Sequence, residues 1–178
     1  MIASPVAPPS TPAAPAPRDK AIAIVGPSNS GKTGLICRLL EWFAARQLKV
    51  AVLKHSHHEH LGDEAKDTGR YRQAGSRLVA LAAPGLLQIT RSGLKEPPLA
   101  AILAELAPDA DLILVEGYKS SDLPKVGLAP PDPAAPLPDY PQLVAWVSPR
   151  PLPTSLPVFD PGQVEAIGRF IRDRLRCR

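Results

Sequence analysis

Gly26-Pro27-Ser28-Asn29-Ser30-Gly31-Lys32-Thr33 carries the strongest chemical signal in the chain. A phosphate chain is highly anionic, so a protein that holds one needs many donors close to its backbone. Gly26 and Gly31 permit a tight loop whose N–H groups point inward. A helix beginning near Lys32 adds its positive dipole end. The pattern is a complete Walker A loop, in which Lys32 reaches the outer phosphates and the Thr33 hydroxyl ligates Mg2+.

A second acidic site lies at Asp111-Leu112-Ile113-Leu114-Val115-Glu116-Gly117, a buried strand with a carboxylate at each end. Only the carboxyl end of a parallel strand faces a ligand crevice. Glu116 is therefore expected on the phosphate side, where it holds magnesium through water or orients an attacking water. Asp111 belongs at the far end as a strand-entry residue. Gly117 lets the backbone approach the outer phosphate.

All four histidines fall in Lys54-His55-Ser56-His57-His58-Glu59-His60, after another apolar run. Alternating ligands of this kind suit zinc or another divalent metal. They suit equally well donors to phosphate or to a second ligand, or a solvated loop. Lys54 adds a second cation near the phosphates. Further on, Asp63, Lys66, Asp67, Arg70 and Arg72 form a charged patch before Ala74-Gly75. By spacing, it is either a solvated helix surface or a surface that responds to nucleotide or partner.

The elements that must position these groups alternate along the chain. Ala21 to Val25, Val50 to Leu53 and Leu112 to Val115 are short apolar runs of the kind buried on both faces of a parallel sheet. Arg77 to Ala82 and Leu86 to Thr90 read as a third and fourth strand, and Leu143 to Val147 as the last. Helical spacing recurs in Leu35, Ile36, Leu39, Leu40 and Phe43, in Leu99, Ile102, Leu103 and Leu106, and in Val164, Ile167, Ile171 and Leu175. Asp67 to Ala74 is expected to be helical as well. Gly34 is unexpected, because glycine in a helix costs roughly 1 kcal/mol against alanine. The fold class is α/β: a P-loop NTPase with a mostly parallel sheet and helices on both faces.

Two proline-rich stretches interrupt this order. Of the 23 prolines in 178 residues, six precede Arg18. Residues 1–18 therefore read as a disordered tail and 19–178 as one nucleotide-binding domain. Gly127 to Pro141 reads as an irregular surface loop. No apolar run is long enough to span a bilayer, and the tail lacks the layout of a signal peptide. The net charge of +4 is mild. The arginines from Arg169 to Arg178 suit a helix C-terminus better than a nucleic-acid surface. Cys37 and Cys177 have no metal-ligand spacing, and a reducing cytoplasm is the natural setting.

In order, the blocks Gly26 to Thr33, Lys54 to His58, Asp63 through Lys66-Asp67-Thr68 to Ala74-Gly75, and Asp111 to Lys119 with Pro124-Lys125-Val126 resemble one family. It is the molybdopterin-guanine dinucleotide biosynthesis adapter protein B family, and the resemblance covers about residues 20–126. It implies a GTP-binding protein with weak Mg2+-dependent GTPase activity, acting as a homodimer. It also implies a guanylyltransferase partner, protein A of the same pathway, and contact with molybdopterin. Lys32 and Glu116 would act in hydrolysis, with Thr33 and Glu116 at the metal. Residues Gly26 to Thr33, with Lys54, His55, Asp67 and Lys119, would face the nucleotide. The chain departs from the family where Gly127-Leu128-Ala129 follows Val126, where Gly34 replaces a hydroxyl residue, and where Glu64-Ala65 stands for Pro-Gly.

Two other functions fit parts of the pattern: a small-molecule kinase or other ATPase on the same scaffold, and a metal module built on the histidines. A kinase needs arginines on a lid and a site for its acceptor hydroxyl. The Arg70 to Arg77 region has arginines, but no acceptor motif is visible. No Asn-Lys-x-Asp sequence specifies guanine, since Asn29 is the only asparagine. Val144 to Ser148, at the ligand end of a strand, is positioned for a base.

Overall fold

The computed structural model describes residues 15–56, 61–93 and 95–175. Ala21–Val25 forms β1, and all five of its side chains are fully buried. A strand without a polar face must have protein on both sides, and the remaining elements supply it. They are α1 (Lys32–Ala44), β2 (Val50–Lys54), α2 (Asp67–Gln73), β3 (Leu78–Ala83), β4 (Leu86–Arg91) and α3 (Leu99–Leu106). After these come β5 (Leu112–Glu116), β6 (Lys125–Leu128), β7 (Leu143–Val147), β8 (Val158–Phe159) and α4 (Val164–Arg174).

Six strands make one sheet in the order β2-β5-β1-β6-β7-β8, and every pair in it is parallel. Side chains alternate across a strand, so β1 feeds two cores. Ile22 and Ile24 join Leu35, Leu39 and Phe43 of α1 with Ile167 and Ile171 of α4 on one face. Ala21, Ala23 and Val25 join Leu103 of α3 and Val115 of β5 on the other. The fold is the expected mostly parallel sheet, with helices on both faces.

The third and fourth strands were expected among these, but β3 and β4 leave the sheet. They pair with each other antiparallel, Leu78 opposite Arg91 and Ala83 opposite Leu86, across the two-residue Pro84-Gly85 turn. Gly85 takes a φ of +77° there. A Pro-Gly pair between two apolar runs is a hairpin signal, and it overrides the alternation of strand and helix.

The loop expected from Gly127 begins two residues later. Lys125–Leu128 is a fully buried strand between β1 and β7. Gly127 is a packing residue: a Cβ on it would stand 2.7 Å from Cζ3 of Trp146 and 3.0 Å from Cδ1 of Leu143. Lys125 enters this strand fully buried, and its ammonium donates to the carbonyls of Ser121 and Leu123. Burial lowers its pKa.

At the N-terminal end, Pro17–Lys20 is one turn of 3-10 helix, and Arg18 pairs with Asp122 at 2.6 Å. Residues 1–14 of the expected tail lie outside the described residues. No helix among those described is long and apolar enough to cross a membrane.

Candidate nucleotide site

The loop between β1 and α1 is shaped by contacts that exclude larger residues. A Cβ on Gly26 would lie 2.7 Å from Ser30 Oγ and 3.1 Å from Leu128 Cβ of β6. Gly31 caps α1 in the left-handed region, at φ +89°. Lys32 folds back over the loop and donates to the carbonyls of Pro27, at 2.6 Å, and Gly26, at 3.3 Å. Burial lowers its pKa; Glu116 opposes that shift, and Lys119 and Lys54 add to it. Four charged side chains thus converge on the mouth of the loop. Ser30 Oγ is buried there and has no hydrogen-bond partner among the described residues.

Glu116 ends β5 beside β1, with its side chain about one-eighth exposed. Its carboxylate accepts from the Thr33 hydroxyl at 3.2 Å and pairs with Lys54 Nζ at 3.6 Å. Lys54 is the last residue of β2, opposite Glu116 in the parallel register. Gly117 turns the chain at φ +100°, and a Cβ on it would stand 3.1 Å from His55 Cβ. The following residues are Tyr118, at φ +49°, and the exposed Lys119.

His55 lies over this turn. Its ring stacks on Tyr118 with centroids 4.3 Å apart, and its Nε2 is 3.0 Å from Glu96 Oε1. Tyr118 donates to the same Glu96 oxygen at 2.9 Å. Burial and that carboxylate push the Tyr118 hydroxyl up to about 12. Glu96 has no motif neighbour in the sequence, and only the fold brings it to the site. His57 to His60 lie outside the described residues, and no metal-binding cluster occurs among those described.

Asp67 is not brought to the loop by its contacts. It is exposed in the first turn of α2 and pairs with Arg70 at 3.8 Å. The rest of that charged patch divides in two. Asp63 and Arg72 are largely buried against each other, with Thr68 donating to Asp63 at 3.0 Å. The Arg72 guanidinium holds the Asp63 carboxyl down at about 2. A solvated face therefore describes Asp67 and Arg70 but not Asp63 and Arg72. At the opposite end of β5, Asp111 accepts from the Lys49 N–H at 2.8 Å, which agrees with its role in entering the strand.

A parallel sheet with this loop after its first strand, and an acidic residue at the end of the neighbouring strand, defines a P-loop nucleotide-binding fold. The family model for molybdopterin guanine dinucleotide synthesis protein B, MobB, matches residues 21–149. The chain belongs to that family. It is 35% identical over 161 residues to the molybdopterin-guanine dinucleotide biosynthesis adapter protein of Haemophilus influenzae, covering 86% of this chain and 88% of that one. Its counterpart from Escherichia coli is 29% identical over 152 residues, covering 81% and 86%. Among solved structures, the MobB homologue of Bacillus stearothermophilus superposes with a TM-score of 0.66 at 27% identity, covering 89% of this chain and 99% of that one. Bacillus subtilis MobB gives the same TM-score at 30% identity, covering 83% and 95%.

Proposed function

We propose that this protein is a GTP-binding adapter with weak Mg2+-dependent GTPase activity. In this reading it assists the guanylyltransferase that attaches GMP to molybdopterin. One observation carries the reading: Lys32, Thr33 and Glu116 meet at the carboxyl ends of β1 and β5. The Thr33 hydroxyl and the Glu116 carboxylate are hard oxygen donors, the kind Mg2+ takes alongside phosphate. Ser30 Oγ, buried and without a partner among the described residues, supplies a further polar group to the same loop. The named roles of the H. influenzae and E. coli relatives support the pathway.

When bound, magnesium neutralises charge on the outer phosphates. The chain's own groups do the rest. Lys32, Lys54 and Lys119 face the phosphate end as cations, and Glu116 orients the attacking water. Catalysis by such a set is positioning and charge stabilisation. No arginine has a described contact in the loop, which fits slow turnover that a partner raises. Glu116→Gln should cut Mg2+-dependent GTP turnover by about tenfold or more beyond whatever it costs in Mg2+-GTP affinity. Single-turnover kinetics beside calorimetry separates the two. Equal losses in binding and turnover would remove Glu116 from the hydrolytic step.

The decisive experiment is calorimetric titration of GTP and ATP analogues with Mg2+, followed by GTP turnover with and without the guanylyltransferase. GTP preference and partner-stimulated turnover support the adapter. Equal or better ATP binding moves the assignment to a kinase or another ATPase.

Self-association belongs to the same proposal. Hairpin β3–β4 exposes Leu78, Leu81, Leu86, Leu87 and Ile89, with Leu86 75% exposed. Leu87 and Ile89 lie on one face by register. An isolated two-stranded hairpin is marginal in water, and an apolar, open-edged one invites a second copy. Sedimentation of wild type should show a dimer, and Leu87→Glu with Ile89→Glu a folded monomer. A double variant that remains dimeric would locate the interface elsewhere.

A further inference from the structure

The outer-phosphate side of the site is fixed by Glu116 and Lys54, on the β5–β2 side of the loop. A nucleotide anchored there extends its sugar and base the other way, over the carboxyl ends of β6, β7 and β8. Polar groups capable of reading a base are few on that side. The Ser148 hydroxyl, at the end of β7, is committed locally: it donates to the Arg150 carbonyl and accepts from the Arg150 N–H. The rest of Val144 to Val147 is core or partly buried strand, so that segment offers no free reader.

The turn after β8 is different. Arg38 of α1 reaches across to it, its Nη2 donating to the Pro161 carbonyl at 3.2 Å. One turn earlier in the helix, Gly34 leaves an open slot; a Cβ there would meet nothing nearer than Arg38 Nη1, at 3.9 Å. The first turn of the phosphate-binding helix is thus separated from the β8–α4 turn by the width of one guanidinium. That turn presents Asp160, which is exposed. Among the described residues its Oδ1 accepts from the Gly162 N–H at 2.8 Å, and its Oδ2 has no partner. The backbone beneath it is set by Gln163, whose Oε1 accepts from the Asp160 N–H at 2.9 Å.

Guanine's pairing edge carries two adjacent donors, N1–H and N2–H, and a carboxylate accepts both. Adenine presents a lone pair at N1, which the same carboxylate repels. Chemistry and placement therefore coincide at one residue, and we infer that Asp160 is the base reader that makes this site select guanine nucleotides. The inference rests on the GTP reading proposed above and names the group behind it.

The test is calorimetric titration of wild type, Asp160→Asn and Asp160→Ala with the magnesium complexes of GTP, ATP and xanthosine triphosphate. Xanthine has a carbonyl where guanine has its 2-amino group, so an asparagine amide donates where the aspartate accepted. Asparagine also keeps an acceptor for the Gly162 N–H, so the turn survives. Asp160→Asn should lose about tenfold or more in GTP affinity and gain about tenfold or more for xanthosine triphosphate. Asp160→Ala should lose GTP without that gain. A GTP-selective wild type whose preference survives Asp160→Asn overturns this inference alone, as does a loss of GTP with no gain for xanthosine triphosphate. A wild type that does not prefer GTP to ATP overturns the GTP reading with it.

Discussion

Lys32→Ala should lower the affinity for Mg2+-GTP by at least about 100-fold while leaving the melting temperature within a few degrees of wild type. The size follows from the side chain's surroundings. Its ammonium already lies over the loop, held by the carbonyls of Gly26 and Pro27, and needs no search to find the phosphates. Hydrogen bonds to charged groups contribute about 1.5–3 kcal/mol each, and two such contacts account for the loss. Burial has lowered the lysine's pKa in the free protein, and arriving phosphates offset that by favouring the charged form. The fold should survive because both partners of Lys32 are loop carbonyls outside the two cores. Lys32→Arg should not rescue binding, because a planar fork does not fit where a compact ammonium donates. Calorimetry and thermal melting on the same preparations check both halves. Retained binding would move the nucleotide away from this loop.

Gly127→Val should destabilise the protein by about 1–3 kcal/mol or more, the range for an overpacked core. The new Cβ would come within 2.8 Å of two ring carbons of Trp146, and Trp146 is itself buried. The backbone under the ring cannot step aside, because β7 is paired with β6 on one side and β8 on the other. Trp146→Leu should then become less harmful in the Gly127→Val background than in wild type, since it removes the obstruction. A double-mutant cycle by denaturant unfolding measures that coupling directly. Additive effects would mean that the two residues do not share the space the structure gives them.

These two positions differ in how openly the sequence announced them. The phosphate loop and Glu116 were legible because their chemistry demands particular residue types at fixed spacing, and the strand–loop–helix order around them was equally plain. Gly127 was hidden. In a proline-rich segment, a glycine reads as a turn residue, and only the Trp146 ring lying over it shows why glycine is there. The strand it occupies was missed for the same reason. The hairpin is half legible: its two apolar runs mark the strands, but the strand–helix alternation around them masks the turn at Pro84-Gly85 that takes them out of the main sheet. Glu96 left no trace, since a single carboxylate before two prolines has no pattern until His55 and Tyr118 close on it. Asp63 and Arg72 lay within a run of charges, where local spacing cannot separate a buried pair from a solvated one.

The strand order has a consequence for how the molecule is made. β1 emerges first during synthesis, yet its neighbours β5 and β6 begin at Leu112 and Lys125, and α1 waits for α4 at Val164 to cover its apolar face. Contacts so distant along the chain are slow to form, because a long loop must close before they stabilise anything. The phosphate loop therefore leaves the ribosome well before the strands and helix that fix it, and is among the last segments to become rigid. A nascent chain stopped short of β5 has every residue of the loop and no partner for either edge of β1. The loop must therefore wait for β5, β6 and α4 before it is held in place, and no local contact can hurry it.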